Sequence, residues 1–402
     1  MKRILFISCC IPDELELEIT KYCKRPHNIH DAANTFQKTL IHGFIENNAV
    51  IDVLSVPSLP TSPYGYKKLY IPELYTKIEN KVPCYILPYF TFIIGKYASI
   101  EWRVTRYLIN WINSNRNDEL IIMGYNVNPA FMASLSVVKK KYPAIKTALV
   151  VTDMIEDADN FEANRTFLKR IQLYLHKRKI VASYKAIDKY ILLSEQMKER
   201  IPNCTNNYIV IEGIYKHISD YEKQDRQKTI FYSGALDAYG NIVGMIEAFK
   251  KISRDDYKLV ICGAGPLSSY VSAEAESCSN ILFLGSIPRT EVIKWQHIAS
   301  ILINPRQPSE ITKYSFPSKT MEYFASGTPV LMYRLQGIPE EYYSYCYTIK
   351  GYSVDDLKDS IEEVIALGEY ERIILGAHAK EFVLKSKTSK VQVSKLLGYL
   401  MQ

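Results

Sequence analysis

The sequence has few of the features that mark a metalloprotein, a disulfide scaffold or a membrane span. Its eight cysteines form no C-x-x-C pair and no metal-ligand spacing, so we expect the reduced, mostly buried thiols of a cytoplasmic protein. The longest apolar stretch, residues 84–102, is broken by Lys96 and Glu101, and its unbroken part is too short to cross a bilayer. With 402 residues, 47% hydrophobic and 23% charged, the chain has the composition of a soluble globular protein with two domains or more.

Basic residues outnumber acidic ones in the first half of the chain but not in the second. Residues 1–200 carry 28 Lys and Arg against 20 Asp and Glu, a net charge of +8, whereas residues 201–402 carry 22 against 23. A basic half suits a nucleic acid, anionic lipid headgroups or a phosphorylated substrate, and it also fits an ordinary solvated surface.

Apolar strand patterns alternate with helical patterns along the whole chain. The strand runs are mostly continuous, as at 120–124 and 189–194, which is typical of parallel strands buried on both faces. The fold class is therefore α/β, with two doubly wound Rossmann-like domains. We predict a first domain at 1–200, a linker at 201–227, a second domain at 228–380 and a C-terminal helix at 381–402 that packs back on the first domain. Since such sheets bind ligands beyond the carboxyl ends of their strands, we expect a site in a cleft between the two domains.

Four predicted strand ends in the second half run into glycine or proline turns: FYSGALDAYGN from 231, VICGAGPL from 260, FLGSIPRTE from 283 and INPRQPSE from 303. Glycine lets a backbone approach a ligand closely, so Gly234, Gly263 and Gly265 are candidate donor-binding residues, with Ile287 on the third turn. Each turn alone also fits an ordinary tight connection, but the four together favour a nucleotide site.

The tripeptide Pro317-Ser318-Lys319 opens a predicted helix at 317–326. Proline suits the first helical position, and the free N–H groups that follow it, with the helix dipole and the Lys319 charge, predict an anion site. Glu322 lies three residues after Lys319, on about the same face, where it can accept hydrogen bonds from ribose hydroxyls. The alternative is a capped helix with a solvent-facing Lys–Glu pair.

The run SFPSK followed by MEYFASGTPVL resembles the signature of GT-B fold glycosyltransferases of the retaining family-4 type, the glycosyl transferases group 1. The order of the four turns resembles their whole C-terminal domain, and the first half of the chain matches more loosely. The resemblance implies transfer of a sugar from a nucleotide-diphosphate donor, with UDP-sugar favoured, with retained anomeric configuration and without a metal or cofactor. It assigns ribose binding to Glu322.

The sequence departs from that family where a second glutamate is expected. Tyr314 stands eight residues before Glu322, in the place of a glutamate that contacts the donor sugar, and Glu310 is the nearest carboxylate. Both are donor-binding candidates.

A second departure removes two cations. Ala235 and Tyr239 occupy the positions of an arginine and a lysine that contact the diphosphate in the family. Because a leaving diphosphate needs positive charge fixed in advance, we predict that Lys319 and Arg306 replace them as catalytic residues.

The first half of the chain offers fewer candidates. Asp153 follows an apolar strand and is predicted either to orient an acceptor hydroxyl or to cap the next helix. His30 and Asn34 lie where the family has a Gly-Gly loop and are predicted on the acceptor side. The acidic segment 156–160 contains a D-x-D pattern, which we interpret as an acidic loop and not as a metal site.

The segment 162–190 alternates basic residues with Phe, Ile, Leu and Tyr, and 86–111 adds aromatic residues and further cations. Both fit a peripheral surface on anionic membrane, or a core-packed helix with a solvated basic face. We expect a cytoplasmic enzyme, peripheral at the inner face of the membrane, that transfers sugar to a glycan or lipid-linked saccharide in surface polysaccharide synthesis. The alternatives are a nucleotide-sugar epimerase on the same fold and a nucleic-acid-binding protein. The chain shows no recognised nucleic-acid module, so we predict no nucleic-acid partner.

Overall fold

The computed structural model describes residues 1–24, 31–92, 95–154, 167–216 and 225–402. The chain divides into two compact units: unit 1 is Met1–Lys216 with Ser389–Gln402, and unit 2 is His217–Thr388. The predicted linker at 201–227 is wrong in its first part, because strand Tyr208–Val210 pairs with Lys189–Leu192 in the sheet of unit 1.

Unit 1 is built on a sheet whose described strands run in the order β10-β9-β8-β7-β1-β2-β5-β4. All neighbours are parallel except β4 and β5, and a separate antiparallel pair is formed by β3 and β6. The strands are β1 (Lys2–Ser8), β2 (Val50–Ser55), β3 (Tyr70–Ile71), β4 (Leu74–Ile78), β5 (Val82–Ile86), β6 (Tyr89–Phe90), β7 (Glu119–Tyr125), β8 (Lys146–Val151), β9 (Lys189–Leu192) and β10 (Tyr208–Val210).

The helices of unit 1 are α1 (Asp13–Tyr22), α2 (Asp31–Glu46), α3 (Lys96–Ser114), α4 (Pro129–Lys141) and α5 (Phe167–Ser183). The apolar run at 84–102 is divided between β5, β6 and the start of α3, because a left-handed Gly95 precedes the helix. Across the described residues, no helix is both long enough and apolar enough to span a membrane.

Unit 2 contains an all-parallel sheet in the order β13-β12-β11-β14-β15-β16. Its strands are β11 (Gln227–Ser233), β12 (Lys258–Cys262), β13 (Ile281–Phe283), β14 (Ala299–Asn304), β15 (Val330–Met332) and β16 (Tyr347–Thr348). Its helices are α6 (Ile242–Lys250), α7 (Ser268–Ser277), α8 (Arg289–Ile298), α9 (Glu310–Lys313), α10 (Lys319–Ser326), α11 (Val354–Ala366) and α12 (Glu369–Ser386). The doubly wound α/β fold predicted from the sequence is confirmed.

The end of the chain forms two helices instead of one. Helix α12 ends at Ser386 within unit 2, and α13 (Ser389–Met401) packs against α2 in unit 1. The Gln392 amide donates to the Gly213 carbonyl, and the Ser389 N–H donates to the Tyr215 carbonyl. The predicted start of the last helix at 381 is therefore wrong by eight residues, because α12 continues to Ser386 before the break.

Candidate active site

The strand order of unit 2 reverses between β11 and β14, which leaves a crevice at their carboxyl ends. The Gly234 turn follows β11, and Arg306 follows β14 by two residues. Two of the predicted donor-site residues therefore lie where ligands of doubly wound sheets bind.

The glycine turns after β11, β12 and β13 are joined by backbone hydrogen bonds. The Gly234 N–H donates to the Cys262 carbonyl at 2.9 Å, and the Gly263 N–H donates to the Gly285 carbonyl at 2.9 Å. Gly263 has φ +144°, and a Cβ atom there would lie 1.8 Å from the Gly234 carbonyl oxygen, while one on Gly265 would lie 2.3 Å from that of Leu236. Glycine is thus required for the approach of the turns to each other. Contact of these glycines with a donor stays a prediction.

The sequence pattern predicted that helix α10 begins at Pro317. In the structure it begins at Lys319. Ser318 occupies the cap position with helical dihedral angles and makes no capping bond through its side chain. The Thr320 N–H donates to the Pro317 carbonyl at 2.9 Å, so a tight turn precedes the regular helix. The Ser318 residue is exposed, so its hydroxyl is accessible to a ligand.

Lys319 turns its side chain back toward the crevice. Its Nζ donates to the Ser233 carbonyl at the end of β11 and lies 6.0 Å from the centroid of the Tyr232 ring. Burial lowers the pKa of this ammonium to about 8, with the nearby Glu322 carboxylate opposing the shift.

Arg306 reaches the same turn from β14. Its Nε atom is buried and has no hydrogen-bond partner in the part of the chain that the structure describes. Burial lowers the pKa of the guanidinium, and the nearby Asp237 carboxylate opposes that shift. Lys319 and Arg306 therefore both lie near residues 232–237, and each has N–H donors without a partner among the described residues.

Glu322 lies on α10 and is paired with an arginine that the sequence analysis missed. The Nη2 atom of Arg289 lies 2.6 Å from Oε1 of Glu322. Arg289 is the first residue of α8 and follows the third turn, where the Ile287 N–H faces the Cys262 thiol. The signal in the sequence was the arginine that ends the run FLGSIPR.

The two candidates for the missing glutamate differ in exposure. Tyr314 is only 6% exposed, whereas Glu310 is exposed at the start of α9, which Ser309 and Thr312 close with a capping box. Of the two, Glu310 is the one open to solvent. A role toward the sugar stays a prediction for both.

In unit 1, Asp153 was predicted to end β8. The strand ends at Val151, so Asp153 lies two residues beyond it. Its Oδ2 accepts hydrogen bonds from the Asn126 amide and the Thr152 hydroxyl, both at 2.9 Å. Asn126 follows β7 with φ +60°, a left-handed conformation that is strained for a residue other than glycine. Asp153 is exposed, so the pair of donors holds a carboxylate that remains open to solvent. The structure thus adds Asn126 and Thr152 to the candidate residues of unit 1.

Asn34 is 8% exposed, and its Oδ1 accepts from the Ile11 N–H. The structure therefore gives Asn34 a role in holding the loop after β1, and a sugar contact stays a prediction. His30 and the acidic segment 156–160 lie outside the described residues. Within the described ranges, no group of three or more His, Cys, Asp or Glu is arranged to hold a metal ion.

Comparison with known proteins finds a family match over most of unit 2. Residues 214–380 match the family model described as glycosyl transferases group 1. No curated protein matches the chain in sequence.

Solved structures show the GT-B fold over the full chain. A TarM variant from S. aureus has a TM-score of 0.62 and 13% identity, with 100% of both chains covered. Sucrose-phosphate synthase from Thermosynechococcus elongatus has a TM-score of 0.63 and 13% identity over 100% of this chain and 99% of that one. The lipopolysaccharide outer core galactosyltransferase WaaB has a TM-score of 0.61 and 11% identity, again over 100% and 99%.

The matched residues include the glycine turns, Lys319, Arg306, Glu322 and Arg289. Glycosyl transfer is the activity that this match supports. The turn after β11 carries Ala235 and Tyr239, and Arg306 and Lys319 lie beside it. That these two cations contact the diphosphate stays a prediction.

Proposed function

We propose that the protein is a retaining glycosyltransferase. It moves a sugar from a nucleoside-diphosphate donor, with UDP-sugar favoured, to a glycan or lipid-linked saccharide acceptor in surface polysaccharide synthesis. The observation that carries the proposal is the convergence of Lys319 and Arg306 on the turn after β11, at the switch point of a group 1 domain.

The donor diphosphate would lie at this turn. Arg306 has a buried Nε without a partner among the described residues, and Lys319 has one carbonyl partner for three donors. Half-buried cations of this kind interact more strongly with a diphosphate than fully exposed ones, because less water screens them. The ribose would then lie toward Glu322, one turn along α10 from Lys319.

The proposed chemistry is a displacement on one face of the sugar. The bond between the anomeric carbon and the diphosphate oxygen breaks, the acceptor oxygen forms the new bond on the same face, and the acceptor proton goes to the departing diphosphate. Lys319 and Arg306 stabilise the charge that develops on that leaving group. The mechanism as proposed includes no metal.

The acceptor would bind through unit 1. Asp153 presents one carboxylate oxygen to solvent while Asn126 and Thr152 hold the other. A fixed carboxylate of this kind can accept a hydrogen bond from a sugar hydroxyl and orient it.

A surface formed by α3 and α5 suits a lipid-linked acceptor. The two helices are joined by an ion pair between Lys179 and Glu101 and by contact of the Tyr97 and His176 rings. We define the aromatic–basic face as Trp102, Arg106, Tyr174, Leu175 and Arg178; the Trp102, Tyr174 and Leu175 side chains are 59%, 60% and 56% exposed. Arg106 and Arg178 lie over the rings of Trp102 and Tyr174. Exposed apolar side chains beside cations are typical of surfaces that bind anionic membrane.

Two measurements test the function. A thermal-shift screen of UDP-, GDP-, ADP- and CDP-sugars should identify a stabilising donor, and incubation with saccharide and lipid-linked acceptors should release the nucleoside diphosphate. The anomeric configuration of the product, read by NMR, should match that of the donor. Conversion of the donor to another sugar without an acceptor would instead indicate an epimerase, and an inverted product would contradict retention.

Liposome flotation tests the membrane surface. The protein should float with anionic vesicles at low salt and release as salt rises, and Trp102→Ala with Tyr174→Ala should weaken flotation. Tyr370→Ala removes an aromatic residue of unit 2 that is 78% exposed and should have no effect. Equal flotation of both variants would contradict the proposed surface.

A further inference from the structure

Arg289 at the start of α8 contributes little to the stability of unit 2. A positive charge at a helix N-terminus is opposed by the helix dipole, so this position does not favour arginine. The Arg289 and Glu322 side chains are 53% and 32% exposed, and an ion pair this open to water contributes little stability. Across the described residues, Glu322 is the only hydrogen-bond partner of Arg289.

The contact occupies only half of the carboxylate. Arg289 Nη2 lies 2.6 Å from Oε1 of Glu322, and Oε2 has no hydrogen bond or ion pair in the part of the chain that the structure describes. A guanidinium bonded to one oxygen restricts the rotation of the carboxylate, and the two oxygens share one rigid plane. The second oxygen is then directed away from Arg289.

The contact also links two parts of the site. Arg289 follows the third glycine turn by four residues, and Glu322 lies on α10 three residues after Lys319. The pair therefore joins the turn after β13 to the helix that carries the phosphate-binding lysine.

We propose that Arg289 is a positioning residue for nucleoside recognition: it holds Oε1 of Glu322, so that Oε2 is available to accept from the vicinal hydroxyls of the donor's ribose. This inference rests on the proposed function. If Arg289 has this role, it affects the binding of the ribose hydroxyls and not the binding of the diphosphate.

Calorimetric titration tests this role without any acceptor. The probe is whichever of UDP, GDP, ADP and CDP binds the wild-type protein most tightly, together with its 2′,3′-dideoxy form and inorganic pyrophosphate. Arg289→Ala should weaken binding of the ribonucleotide by about threefold to tenfold, less than the loss of a whole charged hydrogen bond, because the Glu322 carboxylate remains. Binding of the dideoxy form and of pyrophosphate should stay unchanged, and Arg289→Lys should recover part of the loss.

Two controls separate positioning from general effects. Arg254→Ala removes another exposed ion pair of unit 2, with Asp256, and should not alter binding. In the Glu322→Ala background, Arg289→Ala should cause no further loss, because the carboxylate that it holds is gone.

The outcomes are distinct. A wild-type protein that binds none of the nucleoside diphosphates overturns the proposed function and this inference with it. If the wild type binds, then unchanged or tighter ribonucleotide binding by Arg289→Ala, or an equal loss with pyrophosphate, overturns the positioning role alone.

Discussion

At the scale of single residues, the charge of Lys319 depends on pH just above neutrality. Burial lowers its pKa to about 8, so the free protein loses this positive charge as pH rises through that value. We expect the affinity for UDP, whose phosphates are ionised throughout, to fall between pH 7 and pH 9.5. Lys319→Arg should keep the affinity nearly flat over this range, because arginine stays protonated.

Turnover should depend on the same side chain. Lys319→Ala should reduce turnover roughly 100-fold, since a preorganised cation acts on the charge of the leaving group. Lys250→Ala removes a lysine of unit 2 that is paired with Glu247 and Glu274, and it should leave turnover unchanged. Unchanged turnover in Lys319→Ala would remove the proposed catalytic role.

Asn126 allows a test that separates backbone strain from hydrogen bonding. Asn126→Gly keeps the left-handed backbone without strain and removes the donor to Asp153. We expect the KM for the acceptor to rise several-fold while UDP affinity stays constant, measured with the acceptor found in the turnover screen. Asn48→Gly makes the same change at φ +53° elsewhere in unit 1 and should leave the KM unaltered. A rise in both variants would assign the effect to the backbone.

At the scale of elements, the glycine turns of unit 2 depend on their mutual approach. A Cβ on Gly263 would meet the Gly234 carbonyl oxygen at 1.8 Å, whereas one on Gly285, at φ +62°, would have open space around it. Gly263→Ala should therefore lower the free energy of unfolding by roughly 3 kcal/mol, and Gly285→Ala by only about 1 kcal/mol. Urea unfolding of the two variants checks the difference. An equal decrease in the free energy of unfolding for both variants would mean that the turns can move apart without loss of stability.

The sequence predicted the elements of unit 2 well for a physical reason. Its parallel strands are buried on both faces and so appear as apolar runs, and each run ends in a turn that breaks the pattern. The start of α10 was predicted two residues early because proline is common at the first helical position, but residues 317–320 form a tight turn before the helix.

Other features could not be predicted because they depend on contacts between distant residues. Arg289 and Glu322 are 33 positions apart, and no local pattern joins them. The same holds for Asn126 and Asp153, which the parallel pairing of β7 and β8 brings together. The convergence of Lys319 and Arg306 on one turn was expected from the resemblance and the missing cations, since both follow strands or turns at one edge of a sheet.

At the scale of the whole molecule, the end of the chain belongs to the unit formed by its beginning. Val393, Leu396 and Leu400 of α13 are at most 1% exposed, and a Cβ on Gly43 of α2 would lie 2.3 Å from the Val393 side chain. Burial of each such side chain contributes roughly 2 kcal/mol, a large share of the stability of an ordinary domain.

Removal of residues 389–402 should therefore destabilise unit 1 although most of its own chain remains. Hydrogen exchange followed by mass spectrometry should show faster exchange in β1 and β7, while β11 and β14 of unit 2 keep their protection. Removal of Met401 and Gln402 alone, both exposed, is the control and should change neither unit. Faster exchange confined to unit 2 would contradict this account, because α13 makes its buried contacts with α2 and with the backbone of residues 213–215.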